Sequence, residues 1–196
     1  MEAHKYLRTP SQLPILIEKT TALQFPMASE PLTGAFLRCL AASKPGGRFL
    51  ELGTGTGIAT AWLLEGMDSS SSIISIDNDA LAQEVARECL GDDPRLTLEV
   101  ADGIEFLKAQ PRKSFDMVFA DAMPGKYEGL EDALAVVKEG GFYVIDDMLP
   151  QANWPEGHAA KVPVLLEKLV GNREFEVVPL AWASGVVLAV RRGCCD

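Results

Sequence analysis

Apolar and polar positions along this chain fall into short runs that switch between two periods. Past a polar N-terminal stretch, Leu32, Ala35, Phe36, Cys39 and Leu40 recur at helical spacing, with Ser29 as the expected N-cap and Pro31 in the first turn. The breaker run Ser43 to Gly47 closes that helix. Strand-like runs then alternate with helical patterns: Arg48 to Leu52 before a helix from Ile58, Ile73 to Ile76 before one carrying Leu81, Val85 and Cys89, and Leu96 to Val100 before Ile104 to Ala109. Phe115 to Ala120 follows, then a helix with Tyr127, Leu130, Leu134 and Val137 on one face, then Phe142 to Ile145. Such alternation predicts an α/β fold whose parallel sheet is covered on both faces.

The last third reads differently. A loop rich in Pro and polar residues spans Leu149 to Pro155, a helix runs through Leu165 to Val170, and two β-like runs close the chain at Phe175 to Leu180 and Gly185 to Val190. Only Ala181 to Ser184 separate those runs, too few residues for a helical crossover, so they are expected to pair as an antiparallel hairpin.

Length and composition narrow the picture. A chain of 196 residues suits one domain, with no need of disulfides or a structural metal to fold. No apolar run approaches the roughly 18 residues of a membrane span. Met1 to Arg8 is charged and lacks the apolar stretch of a secretory signal, which points to a cytoplasmic protein with no membrane partner. The formal charge of -10 disfavours nucleic acid, whose affinity rests on Lys and Arg neutralising phosphates. Cys39 and Cys89 are expected as core residues, and Cys194 and Cys195 as an unpaired tail.

Candidate chemistry begins at Glu51-Leu52-Gly53-Thr54-Gly55-Thr56-Gly57, which follows a strand and opens a helix. Glycines there allow a tight turn and close approach of a ligand, and the helix start offers unpaired N–H groups. The dinucleotide fingerprint needs glycine where this chain has Ile58, and usually an apolar residue where it has Glu51. A carboxylate at Glu51 better suits the cationic amino-acid end of S-adenosylmethionine. Asp77, beside Asn78 at the end of the second strand, is either a helix N-cap or the acceptor for ribose hydroxyls. Asp102, followed by Gly103, is either an N-cap or a partner of the adenine amine.

Together, ELGTGTG at Glu51 to Gly57, ISIDND at Ile74 to Asp79, Ala101-Asp102-Gly103, FDMVFADA at Phe115 to Ala122 and GGFYVIDD at Gly140 to Asp147 resemble the class I S-adenosylmethionine-dependent methyltransferases from Met27 onward. The resemblance implies a single Rossmann-like methyltransferase domain over 1–196, with a seven-stranded, mostly parallel sheet and residues 1–28 covering or flanking the acceptor site. It implies a cofactor site at Met27, Glu51, Gly53, Thr54, Gly55, Gly57, Asp77, Asn78, Asp102, Gly103 and Asp121.

Within that class the chain is most similar to the catechol and caffeoyl-coenzyme A O-methyltransferases, through Asp121-Ala122 after the fourth strand and Asp146-Asp147 after the fifth. The likeness implies transfer of a methyl group to an oxygen of a small molecule such as a phenol or catechol. Asp121, Asp146 and Asp147 would hold Mg²⁺, or Ca²⁺ or Mn²⁺, since clustered carboxylates repel one another unless a hard cation sits among them. The alternative is that Asp121 serves the cofactor while Asp146 and Asp147 cap a loop.

Two departures from that family stand out. Its third ligand is an asparagine, where this chain has Asp147, and its catalytic lysine falls where this chain has Pro124. Lys126 is then the candidate base beside Asp121, acting from a helix start, unless it is a solvated surface lysine. His158 is the second candidate base, against a plain surface histidine. Trp154, and Trp182 in the hairpin turn, are candidate aromatic walls or packing residues. Pro124 also fits a protein that keeps the cofactor cleft without turnover, and the three aspartates also fit a metal-independent enzyme. Apolar Leu13 to Ile17 either docks on a partner subunit, giving a homodimer, or folds back over the acceptor pocket.

Overall fold

A computed structural model describes residues 3–152, 154 and 156–193. After a short 3-10 turn the elements run α1 Leu13–Ala22, α2 Pro31–Ala42, β1 Arg48–Leu52, α3 Ile58–Gly66, β2 Ser72–Asp77, α4 Ala80–Leu90, β3 Leu96–Val100 and α5 Gly103–Ala109. There follow β4 Phe115–Ala120, α6 Leu130–Val136, β5 Val137–Ile145, α7 His158–Gly171, β6 Phe175–Leu180 and β7 Val186–Arg191. The seven strands form one sheet in the order β3-β2-β1-β4-β5-β7-β6. β1 pairs in parallel with β2 and β4, and β7 runs antiparallel to both β5 and β6. The expected C-terminal hairpin is present, and its second strand inserts between β5 and the first.

Side-chain alternation along each strand feeds two cores. Leu50, Leu52, Val118, Ala120, Tyr143 and Ile145 join Leu134, Leu165 and Leu169 on the α5–α7 side. Phe49, Met117, Phe119 and Val144 join Leu16, Leu37, Trp62 and Leu63 on the α1–α3 side. Because Glu51 alternates with Leu50 and Leu52, it projects toward α3.

Several local expectations are revised. The N-cap of α2 is Glu30 without a side-chain bond, and the Ser29 hydroxyl instead donates to Asp121 Oδ2 at 3.1 Å. The buried stripe of α2 is Thr33, Gly34, Leu37 and Ala41, which leaves Cys39 exposed; Cys89 is partly buried. Cys194 and Cys195 lie outside the described residues. Tyr127 and Val137 flank α6 rather than belong to it, because Gly125 and Gly129 take left-handed backbone before the helix and Val137 already opens β5. Of the segment Leu13 to Ile17, expected on a partner or over the acceptor, Leu13 and Leu16 bury in the chain's own core, where α1 packs on α3 and α4, while Ile15 and Ile17 stay exposed. No helix among the described residues is long and apolar enough to cross a membrane.

Candidate active site

The glycine-rich turn sits where β1 meets α3, with β2 and β4 on either side. Gly53 has φ +102°, and a Cβ on it would stand 2.8 Å from the carbonyl oxygen of Asp121, so only glycine lets β1 and β4 end side by side here. The Asp77 carboxylate accepts the Gly55 N–H at 2.7 Å and the Asp79 N–H at 2.9 Å, while Asp79 is the N-cap of α4. Asp77 therefore ties the turn to the end of β2. Above this floor opens a cleft of about 340 Å³, bordered by Gly53, Thr54, Gly55, Asp77, Asn78 and Asp121, and roofed by Phe25, Met27 and Ser29 from the segment between α1 and α2. A side pocket of about 50 Å³ extends it along Asp77 and Asn78 to Asp102 and Gly103. Asp102 is the N-cap of α5 through Oδ1 and also borders this extension, so the two expected roles coexist.

Two residues expected on the cofactor lie behind the cleft instead. Glu51 is fully buried on the α3 side; its Oε2 accepts the hydroxyls of Thr60 and Ser75, and its Oε1 has no partner. Ser75 meets the Thr54 hydroxyl at 2.6 Å, and Gln83 Nε2 donates to that same hydroxyl at 3.0 Å, so Glu51 anchors a buried polar net beneath the glycine turn. Burial pushes the Glu51 carboxyl up to about 7, against the two hydroxyl bonds. Gly57 is the left-handed N-cap of α3 (φ 89°), and a Cβ there would meet Ala86 of α4 at 2.7 Å, so it serves helix packing. Phe25 was not foreseen. Its ring lies about 3.0 Å from the place a Cβ on Gly55 would take, and an aromatic residue in a polar N-terminal stretch carries no motif.

A second pocket of about 330 Å³ shares Met27, Ala28, Ser29 and Asp121 with the first. Asp146, Asp147, Glu30, Gln151 and Ser184 complete its walls. The structure thus brings Asp121, Asp146 and Asp147 to one pocket, where their chemistry is that of a hard-cation site. Their geometry is not: among the described residues no three His, Cys, Asp or Glu side chains are grouped to hold a metal ion. The Asp146 Oδ1 accepts the hydroxyls of Ser184 and Thr33, Asp121 Oδ2 accepts that of Ser29, and Asp147 sits on left-handed backbone (φ 56°). Two of the expected metal ligands, Asp121 and Asp146, are thus held by hydroxyls; burial raises the pKa of both, and a buried ammonium lowers it through its charge.

That ammonium belongs to Lys126, which is 4% exposed and donates to the Asp146 carbonyl at 2.6 Å. It sits in the turn before α6 rather than at a helix start. Burial lowers its pKa, and the carboxylates of Asp121, Asp147 and Asp146 counter that shift. Burial first, then the charges of Asp146 and Asp147, hold the Asp121 carboxyl well above the usual carboxylate range. Burial also raises Asp146, to about 6. Pro124, in the family's lysine position, borders the cleft and packs on Gly103.

His158 borders neither pocket. It is buried, meets the Tyr127 hydroxyl at 3.1 Å through Nε2, and stacks on Trp154 with ring centroids 4.5 Å apart. Trp154 packs against the core and Trp182 donates from Nε1 to the Leu32 carbonyl, so neither forms an acceptor wall. Gln151 and Ala152 of the β5–α7 loop take that place.

Fold and cleft together define a Rossmann-like domain built to hold a nucleoside cofactor beside a second, smaller ligand. Residues 50–148 match the model of the methyltransferase domain family. A Mycobacterium marinum protein named as an O-methyltransferase is 30% identical over 176 residues, which cover 84% of this chain and 78% of the relative. The chain belongs to the class I S-adenosylmethionine-dependent O-methyltransferases. A Corynebacterium glutamicum crystal structure shares the fold at TM-score 0.84 with 17% identity, covering 98% of this chain and 95% of that one. The O-methyltransferase TomG of Streptomyces achromogenes, solved with its cofactor S-adenosylmethionine, shares it at TM-score 0.82 and 22% identity, covering 96% and 92%.

Proposed function

We propose that the chain methylates a hydroxyl of a small polar molecule, with phenols and catechols as the first class to test, and that its own residues handle the charge without a metal ion. The observation that carries this reading is the wall common to the two pockets: Asp121 borders both the cofactor cleft and the smaller pocket. A sulfonium methyl in the first and a hydroxyl in the second are then held next to each other, which removes much of the entropic cost of their meeting.

The acceptor oxygen attacks the methyl carbon, the carbon–sulfur bond breaks, and S-adenosylhomocysteine leaves. Asp121 takes the hydroxyl proton, a role its raised pKa favours. Lys126 supports that step from behind. Its ammonium fixes the Asp146 carbonyl and offsets the carboxylates, while its Nζ faces that carbonyl, which moves the base role from Lys126 to Asp121. Ser29 and Ser184 hold Asp121 and Asp146 in place.

The test is formation of S-adenosylhomocysteine and methylated product from a panel of phenols, catechols and aliphatic alcohols, run with EDTA and with Mg²⁺. Product that survives EDTA is expected. Product formed only with Mg²⁺ would refute the metal-free step. Tight cofactor binding with no product from any acceptor would instead favour a binding protein without turnover.

A further inference from the structure

Against the acidic balance of the chain, two exposed lysines on one helix share a groove, and among the described residues no carboxylate pairs with them to neutralise them. Of the chain's lysines, Lys19, Lys108, Lys113 and Lys138 each pair with a carboxylate. Lys161 and Lys168, both exposed on α7, have no carboxylate partner among the described residues. Both border the same groove of about 390 Å³, which runs between α7 and the turn before α6, away from the two pockets of the transfer site.

The groove has an apolar floor and a basic rim. Leu130 and Leu165, 8% and 3% exposed, form the floor, and Val164 stands 52% exposed beside them. Lys161 and Lys168 are seven residues apart on α7, about 10 Å along the axis, with Val164 between them. The Lys161 ammonium lies 5.7 Å from the Tyr127 ring centroid, over the groove's aromatic side. Among the described residues Glu128 is the one carboxylate bordering the groove, against the exposed Lys161 and Lys168. The volume falls within the range of small-ligand sites, roughly 300–1,000 Å³. In a chain of net charge -10, unneutralised lysines above exposed apolar surface leave both features unsatisfied.

We propose that this groove binds a small amphipathic carboxylate, with its head on Lys161 and Lys168 and its apolar body along Val164, Leu130 and Leu165. Charge complementarity selects the sign of the head group, and the buried leucines select an apolar body. The groove's wall also includes Lys126 and Tyr127, so its occupant lies against the turn that supplies the buried ammonium of the transfer site.

The test is a calorimetric titration of the whole chain with decanoate, below its micelle concentration, and with the matched cation decyltrimethylammonium. Each titration is run with and without saturating S-adenosylhomocysteine, so that binding in the cofactor cleft is separated from binding in the groove. Saturable decanoate binding that survives S-adenosylhomocysteine is expected. It should weaken at least about tenfold, equivalent to 1.4 kcal/mol, in Lys161→Glu/Lys168→Glu and in Val164→Asp. These positions are exposed, and unchanged S-adenosylhomocysteine affinity in each variant shows that the fold is intact. Absence of saturable decanoate binding, equal binding by the charge-reversed variant, or equal affinity for decyltrimethylammonium would each overturn the proposal.

Discussion

The cofactor cleft and the acceptor pocket share a wall yet are assembled in different ways. The cleft is largely main chain: a turn whose glycines sit at positive φ, strand ends, and one carboxylate, Asp77, accepting backbone N–H groups. The acceptor pocket is a set of side chains drawn from four distant segments, with Ser29 before α2, Asp121 after β4, Asp146 and Asp147 after β5, and Ser184 before β7. A backbone-built site holds the part of the reaction that does not vary between relatives of different specificity. A site of side chains on loops can change its ligand without disturbing the sheet.

The sharpest way to break that comparison is at the shared wall. Asp121→Asn keeps the shape and removes the proton acceptor, so turnover should fall by about 10²–10⁴-fold while S-adenosylhomocysteine affinity stays within a few-fold. Single-turnover kinetics with calorimetry separates the two. Equal losses in both would mean that Asp121 acts only through the cofactor.

Lys126→Met tests whether the acceptor side depends on its buried cation. Removing one member of a buried charge cluster leaves the others uncompensated, so unfolding stability should drop by about 3 kcal/mol in denaturant titrations. An unchanged midpoint would show that the carboxylates do not need the ammonium.

Gly53→Ala tests the cofactor side. The substitution forces a Cβ to within 2.8 Å of the Asp121 carbonyl at φ +102°, and strain of about one to three kcal/mol, if it falls on the ligand-holding shape of the turn, corresponds to roughly a 5- to 150-fold loss of S-adenosylhomocysteine affinity by calorimetry. Wild-type affinity would show that the turn adapts to a side chain, against a cleft shaped by bare backbone.

The same contrast explains what was legible beforehand. The strands Arg48–Leu52, Leu96–Val100, Phe115–Ala120 and Phe175–Leu180 stand where their apolar runs predict them. The two central ones, Arg48–Leu52 and Phe115–Ala120, are buried between the helix layers, which demands near-continuous hydrophobic runs, whereas Leu96–Val100 and Phe175–Leu180 are half-exposed edge strands. The glycine turn and Asp77 were readable because backbone geometry restricts which residues fit. The acceptor pocket was readable only as three aspartates. Their hydroxyl partners, Ser29, Thr33 and Ser184, are ordinary residues whose role exists only once α2 and the C-terminal hairpin meet β4 and β5. Helix α1 escaped notice because its buried stripe is only Leu13, Leu16 and Thr20. Glu51 stands off the cleft lining for a related reason: the motif marks the strand, whereas the alternation of the strand aims the carboxylate at α3.

Glu51 supplies the smallest test, confined to the floor of the cofactor cleft. Its carboxyl is held at about 7 in the fold, above its ordinary value of 4.5, chiefly by burial. A carboxyl raised by folding binds its proton more tightly in the native state, so the unfolded chain loses that proton first as pH rises. Stability from this group is therefore fully present below about pH 4.5, declines up to about 7 and is level above that. Between pH 5 and 8 the wild-type chain should lose about 2 kcal/mol from this source. Glu51→Gln keeps an oxygen for Thr60 and Ser75 but cannot ionise, so its stability should lack that decline, as measured by denaturant titrations at the two pH values. The same slope in both proteins would mean that Glu51 is already ionised in the native state. The polar net beneath the glycine turn would then rest on a buried charge, and the cofactor floor would resemble the acceptor pocket it has been contrasted with.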